Sequence, residues 1–359
     1  MTATPTCAAD ITAQWLRAAA PELAGVESVT AERLGEGVGM MTELYRLTLK
    51  YREGASGPRS LVVKQPAAIE ALRDVANAYG LYEREVLFYR DLAQTISLRA
   101  PRCYIATFDP ETCAFALVME DLSETTLGDQ VAGLTPEQVT VAVDQVGDLH
   151  ARWWDRPELK ALEDKVQSFG TPPYADFSAR HAAGWEVFDA WLEGRVSPDL
   201  RRAGARMCTE LDRIAEDMAK PPRTLCHGDF RADNLMFVTR PGAAPGLTCV
   251  DWQLAMQARG PFDIGYMMGG SVNADVRREL EQPLLKGYHD KLRRSGVENY
   301  SFEECLHDYR RALLITLTYM SQSGAAADLS QPRTEALYDH TVKRIDAAIH
   351  DHGLMEFVA

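Results

Sequence analysis

The segment CHGDFRADNLMF, residues 226–237, puts an imidazole, a carboxylate and an amide on one short loop: His227, Asp229 and Asn234. A carboxylate so placed can take the proton of an attacking hydroxyl, and a nearby amide can help hold a metal ion. A second carboxylate comes from further along the chain. The apolar runs LMFVT and LTCVDW flank the turn RPGAAPG, and in an antiparallel hairpin the start of one strand lies beside the end of the other. Asn234 opens the first run and Asp251 closes the second. The hairpin is therefore expected to bring both to a common ion, with Asp229 on the preceding loop. Such oxygens suit Mg2+, a hard cation held by one or two protein groups, waters and phosphate oxygens. The chemistry this predicts is phosphoryl transfer to a hydroxyl, with Asp229 as base and Asn234 and Asp251 on the metal.

A nucleotide donor also needs a cation for its phosphates. Lys64 ends the apolar run LVVK, where a lysine can reach the α and β phosphates as a point charge. Glu85, in a later helical stretch, can hold that ammonium in place. Glu83 is the rival, roughly 200° around the helix, so only one of the two can face a sheet. The apolar Leu81, Phe88, Tyr89 and Leu92 share a face with Glu85 better than with Glu83. The run GEGVG, with Gly35, Gly37 and Gly39, can lay backbone N–H groups over phosphates, and reads equally well as a plain tight turn.

These groups need a scaffold. Residues 10–20 read as a short amphipathic helix, and VESVTAERL, TELYRLTLKY and RSLVVKQ as strands. Residues 69–95 read as one long helix. RCYIATFD and FALVMED are two further strands, separated by the turn FDPET. After Leu122 the pattern becomes helical, apart from a strand-rich patch from Thr224 to Trp252. The expected fold class is α+β: an antiparallel sheet with one long helix over residues 1–122, then a mainly helical part over 123–359.

Bulk properties agree with that plan. A chain of 359 residues suits two lobes better than one minimal core. With 46% hydrophobic and 25% charged residues, an ordinary globular chain is expected rather than disorder. A net charge of -14 argues against nucleic-acid binding, which needs clustered Lys and Arg. Seven cysteines without a Cys-x-x-Cys argue against disulfides and structural zinc. No apolar run suggests a membrane span, and MTATPTCAADITAQWLRAAA lacks the basic start and apolar core of a signal peptide. A reducing, cytoplasmic setting fits, and nothing implies an oligomer.

The order of glycine-rich hairpin, strand lysine, helix glutamate, His-Gly-Asp-x4-Asn and Asp-Trp resembles the aminoglycoside phosphotransferase and choline kinase superfamily, most closely its ecdysteroid-kinase-like branch. LVVK, YEREVLFYRDL, LVMEDLS, LHARWW, CHGDFRADNLMF, VDWQ and PFDIGY carry the resemblance. The spacing from Asp229 to Asn234 equals that of the kinase catalytic loop. The resemblance implies a bilobal protein-kinase-like fold, ATP and Mg2+ as cofactors, and a small-molecule hydroxyl acceptor. It implies Asp229 as catalytic base, Asn234 and Asp251 as metal ligands, and Lys64 with Glu85 as an ion pair. Met119, Glu120, Asp121 and Leu122 would form the hinge whose backbone binds adenine. Asp263 would brace the catalytic loop, His150 and His227 read as supports, and Arg231 either touches the γ-phosphate or stands in solvent.

The departures from protein kinases are informative. Gly228 replaces the Arg of His-Arg-Asp, Trp252 and Gln253 follow Asp251 in place of Phe-Gly, and no Ala-Pro-Glu follows at a suitable distance. The switching machinery of a protein kinase is thus missing, which favours a small acceptor. Aminoglycoside, choline-like, sterol-like and hydroxyacyl acceptors all stay open. Trp153, Trp154, Tyr174, Phe177, Trp185, Phe188 and Trp191 are expected mostly in the core. Two other readings compete: a catalytically inactive kinase-like nucleotide-binding regulatory module, and a magnesium-dependent phosphoesterase, which has no need of Lys64 paired with Glu85.

Overall fold

Alternating apolar positions, as at Leu47 and Leu49, and one continuous apolar run, residues 115–119, build the first sheet. In this computed structural model, which describes residues 3–35, 41–238, 245–324 and 327–359, it comprises β1 (Val26–Leu34), β2 (Thr42–Tyr51), β3 (Ser60–Pro66), β4 (Cys103–Phe108) and β5 (Phe115–Glu120). The strands are antiparallel in the order β1-β2-β3-β5-β4. Helix α1 (Ala13–Ala19) starts where the Thr12 side chain accepts the Trp15 N–H. Its Trp15 and Leu16 join a core with Leu47, Leu49, Leu61, Val63 and Val118 of the sheet. Successive side chains on a strand point to opposite faces, so Lys64, next to Val63, points away from that core.

The single long helix expected over residues 69–95 is two helices, α2 (Glu70–Ala78) and α3 (Leu81–Leu87), followed by a π turn at Phe88–Leu92. The break falls at Gly80, whose φ of 62° lies in the left-handed region that glycine enters without steric cost. Gly35 follows β1, also with positive φ; Gly37 and Gly39 lie outside the described residues.

The chain divides into two units: Met1–Glu124 with Val250–Leu254, and Thr125–Cys249 with Ala255–Ala359. The run Val250–Leu254 belongs with the first unit, although a division at residue 122 leaves it in the second. The second unit holds β6 (Thr126–Leu127), β7 (Thr224–Cys226), β8 (Leu235–Phe237), β9 (Leu247–Cys249) and β10 (Met256–Ala258). Its helices are α4 (Pro136–Trp153), α5 (Pro157–Lys160), α6 (Phe177–Leu192), α7 (Pro198–Ala219), α8 (Pro261–Ser271), α9 (Ala274–Arg294), α10 (Phe302–Gly324) and α11 (Pro332–His352).

Two of these elements position the site. The β8–β9 hairpin pairs Leu235 with Cys249, so Asn234 immediately precedes it. Its strands are shorter than the apolar runs suggest, and Asp251 lies beyond β9 with φ at 65°. Helix α8 is buried at every residue. It packs so tightly on α10 that a Cβ on Gly265 would stand 2.5 Å from that of Ala312, which is why the motif PFDIGY has glycine there. Of the seven aromatics expected mostly in the core, all but Trp191 are buried. All seven cysteines are free thiols, and among the described residues no helix is long and apolar enough to cross a membrane.

Candidate active site

In the first unit, strand pairing places Lys64 between Leu44 of β2 and Leu117 of β5. Its ammonium lies 2.9 and 2.7 Å from the two carboxylate oxygens of Glu85, and 2.7 Å from Oδ1 of Asp251. Burial works against the Lys64 charge, but Asp251 and Glu85 outweigh it and hold the ammonium above its usual pKa. Burial also pushes the Glu85 carboxyl up to about 7, with Lys64 pulling the other way. Glu83 is exposed, so Glu85 is the sheet-facing partner.

Helix α3 is fixed from both ends. Tyr82 stacks on Phe115 with ring centroids 4.4 Å apart, and its hydroxyl accepts the Ala67 N–H and donates to the Met41 carbonyl. The Trp252 ring lies parallel to Phe88 at 4.2 Å, and Arg84 donates to the Gln253 carbonyl. Trp252 and Gln253, the residues that depart from Phe-Gly, thus anchor the Asp251 segment to the helix that carries Glu85. At the expected hinge, Met119 is buried in β5. The Glu120 carboxylate accepts from Arg99 and from the Arg102 N–H, and Asp121 pairs with Arg46.

In the second unit, the chain leaves β7 through Gly228, whose φ of 83° disfavours any residue with a Cβ. That is a local reason for glycine where protein kinases have arginine. Asp263, on α8, accepts the N–H groups of His227 at 2.7 Å and Gly228 at 3.0 Å. His150 contacts Asp263 at 3.2 Å and the Tyr288 hydroxyl at 3.0 Å, while His227 Nδ1 accepts the Asp229 N–H. These contacts give Asp263, His150 and His227 bracing positions. His150, Cys226 and Asp263 also bring three ligand-type atoms within 4.8 Å of one another. Both Asp263 oxygens already serve backbone N–H groups, so the cluster reads as a brace rather than a metal centre.

Asp229 is buried, and its carboxylate is held by three donors. Oδ2 accepts from Asn234 Nδ2 at 2.9 Å and from Arg231 Nε at 3.1 Å; Oδ1 accepts from the Tyr266 hydroxyl at 2.9 Å. Arg231 also donates to Gln130 and pairs with Asp233. Both side-chain bonds of Asn234 are donated by its nitrogen, to the carbonyl and the carboxylate of Asp229. Among the described residues its amide oxygen takes no hydrogen bond and stays available to a cation. The amide oxygen of Asn234, in the second unit, and the carboxylate of Asp251, in the first, are each a hard oxygen donor of the type Mg2+ takes. The sequence reading missed Tyr266. It stands in the quoted motif PFDIGY, three residues after Asp263 on the same helix, so the two share a face.

A five-stranded antiparallel sheet, a mainly helical second unit and a braced Asp-Asn loop define a kinase-like α+β fold. Solved structures share it. Plasmodium vivax ethanolamine kinase aligns with a TM-score of 0.52 at 10% identity, over 89% of this chain and 82% of that one. The GDP complex of wild-type aminoglycoside 2'-phosphotransferase-IIIa aligns with a TM-score of 0.53 at 13% identity, over 91% and 93%. The model of the ecdysteroid kinase-like family matches residues 36–298, and the chain belongs to that family. It is also 22% identical over 342 residues to an uncharacterized oxidoreductase, dhs-27, of Caenorhabditis elegans. That match takes in 84% of this chain and 40% of the curated relative, so the chain spans well under half of that protein's length.

Proposed function

We propose that this chain is an ATP- and magnesium-dependent phosphotransferase that phosphorylates a hydroxyl of a small molecule. One observation carries the reading: a buried lysine, Lys64, is bonded at once to Glu85 and Asp251. A phosphoesterase has no use for such an ammonium, whereas a kinase needs one fixed cation on the nucleotide phosphates. One ammonium set against two carboxylates also leaves negative charge at Asp251 for a metal to answer.

In this reading Asp229 accepts the proton of the acceptor hydroxyl as its oxygen bonds to the γ-phosphorus and the bond to the β–γ bridging oxygen breaks, giving ADP and a phosphomonoester. Lys64, oriented by Glu85, holds the α and β phosphates. The backbone at Met119–Leu122 is assigned to adenine, because the Glu120 and Asp121 side chains are taken up by ion pairs. Asn234 and Asp251 would hold magnesium, which when bound neutralises charge on the phosphates. Arg231, already tied to Asp229 and Asp233, is assigned to the edge of the phosphate site. Gly35 is assigned to the phosphate-covering turn together with Gly37 and Gly39.

The test is a nucleotide-consumption screen over aminoglycosides, choline-like amines, sterols and hydroxyacyl compounds, run with wild type and Asp229→Asn. ATP and GTP are both offered, since one structural relative was solved with GDP. The expected result is magnesium-dependent turnover with one acceptor class, reduced at least ~100-fold in Asp229→Asn. Nucleotide binding without turnover toward any acceptor would instead favour a regulatory module.

A further inference from the structure

A carboxylate oxygen offers two lone pairs. Among the described residues, Oδ2 of Asp229 has both in use, on Asn234 and Arg231, while Oδ1 has one in use, on Tyr266. Only Oδ1 can therefore receive a further proton donor without losing a bond. We infer that Oδ1 is the atom that takes the acceptor's proton, and that Tyr266 is the positioning residue that aims it. The inference rests on Asp229 being the base.

The placement of Tyr266 supports this role. Helix α8 touches the Asp229 loop at three points. Asp263 takes the N–H groups of His227 and Gly228, Ser271 Oγ takes the Ala232 N–H at 3.0 Å, and Tyr266 reaches the carboxylate itself. The first two fix the backbone; the third fixes the plane of the reactive group. The Tyr266 ring is in turn held by Phe262, stacked at 6.0 Å, and by Tyr319, edge-on at 4.9 Å. Burial and the neighbouring Asp229 charge push the phenol far above its usual pKa, so it remains a donor. A hydroxyl so clamped fixes where Oδ1 sits and leaves its second lone pair for the acceptor's proton. Without it, Asn234 and Arg231 still hold Oδ2 but Oδ1 loses its anchor, and small misalignments of a reacting group are costly.

Tyr266→Phe removes only the hydroxyl and keeps the ring packing. The matched control is Tyr309→Phe, which breaks another buried tyrosine–carboxylate bond of 2.9 Å, to Glu281. Phosphate release from magnesium-ATP, with water as the acceptor, is followed in wild type, Tyr266→Phe, Tyr309→Phe and Asp229→Asn, and the crystal structure of Tyr266→Phe is solved. Tyr266→Phe is expected to lose roughly 10- to 100-fold in kcat with KM for magnesium-ATP held within about twofold. In its crystal structure the Asp229 carboxylate is expected to rotate away from its wild-type plane. Tyr309→Phe is expected to lose comparable thermal stability at wild-type kcat. A Tyr266→Phe enzyme matching Tyr309→Phe in kcat, or an unmoved Asp229 carboxylate, overturns the inference while a collapsed Asp229→Asn keeps the base assignment standing. Wild-type turnover in Asp229→Asn overturns both.

Discussion

Two carboxylate-bearing clusters in this chain are held in opposite ways. In the first unit, Lys64, Glu85 and Asp251 hold one another: three charges tied by ion pairs, two of them deeply buried. In the second, Asp229 is held by a hydroxyl, an amide and one arginine that it shares with Asp233 and Gln130. In the first arrangement the ammonium stays charged out of water because two carboxylates face it, while burial raises the Glu85 carboxyl against the pull of Lys64. The second fixes the proposed base while leaving it a lone pair to react with. Substitutions in the first should register as stability, and in the second as rate.

The largest effect is expected from Lys64→Met. It strands Glu85 and part of the charge of Asp251 in a buried setting, and breaking such a pair from one side costs about 3–5 kcal/mol. The urea midpoint should fall accordingly, and the double variant Lys64→Met/Glu85→Leu should recover much of that loss without recovering nucleotide affinity. A single variant as stable as wild type would mean the charges do not depend on one another. Next comes Asp229→Asn, close to isosteric. Turnover should drop at least ~100-fold while the denaturation midpoint moves less than in Lys64→Met. A mainly structural Asp229 would reverse that order.

How far the sequence foretold these clusters differs between them. Lys64 was picked out as the charge that ends the apolar strand LVVK, and helical spacing separates Glu85 from Glu83. The break at Gly80 was not, since a lone glycine inside a helical pattern is usually tolerated and its left-handed φ is a tertiary outcome. The Asp229–Asn234 loop was picked out by its spacing together with the hairpin that follows it and the Asp251 that ends it. Tyr266 was not, because its helix is buried on every side and shows no apolar stripe to mark which face meets the loop. Met119–Leu122 could be named only through likeness to a family, since a backbone contact with a base leaves no side-chain signature.

A smaller effect should follow from Arg344→Leu, which tests how far the second cluster depends on its surroundings. The Arg344 guanidinium, on α11, donates to the carbonyls of Gln130, Val131 and Gly270 and to Asn273 Oδ1. Burial lowers its pKa to about 10, so it is charged at neutral pH. Its loss leaves buried carbonyls unpaired, for about 2 kcal/mol of stability. Gln130 holds Arg231, which holds Asp229, so a modest fall in turnover should accompany it. A stability loss with turnover unchanged would show that the Asp229 cluster is insulated from α11.

The smallest effect is a pH response that should differ in sign between the units. Glu85, pushed up to about 7 by burial, binds its proton more tightly folded than unfolded. Its contribution to stability is therefore present below about 4.5, the ordinary Glu value, and is lost as pH rises toward 7. His181, in the second unit, is buried against the Gly204 carbonyl and Ser321, and burial lowers its pKa below the ordinary 6.5. The unfolded chain there binds the extra proton, so its contribution is present above 6.5 and is lost as pH falls below it. Amide hydrogen exchange, corrected for intrinsic rates, should show α3 protection weakening from pH 5 to pH 7 while α6 protection strengthens, and His181→Gln should flatten the α6 response alone. Parallel responses in the two helices would mean that a shared titration governs both units.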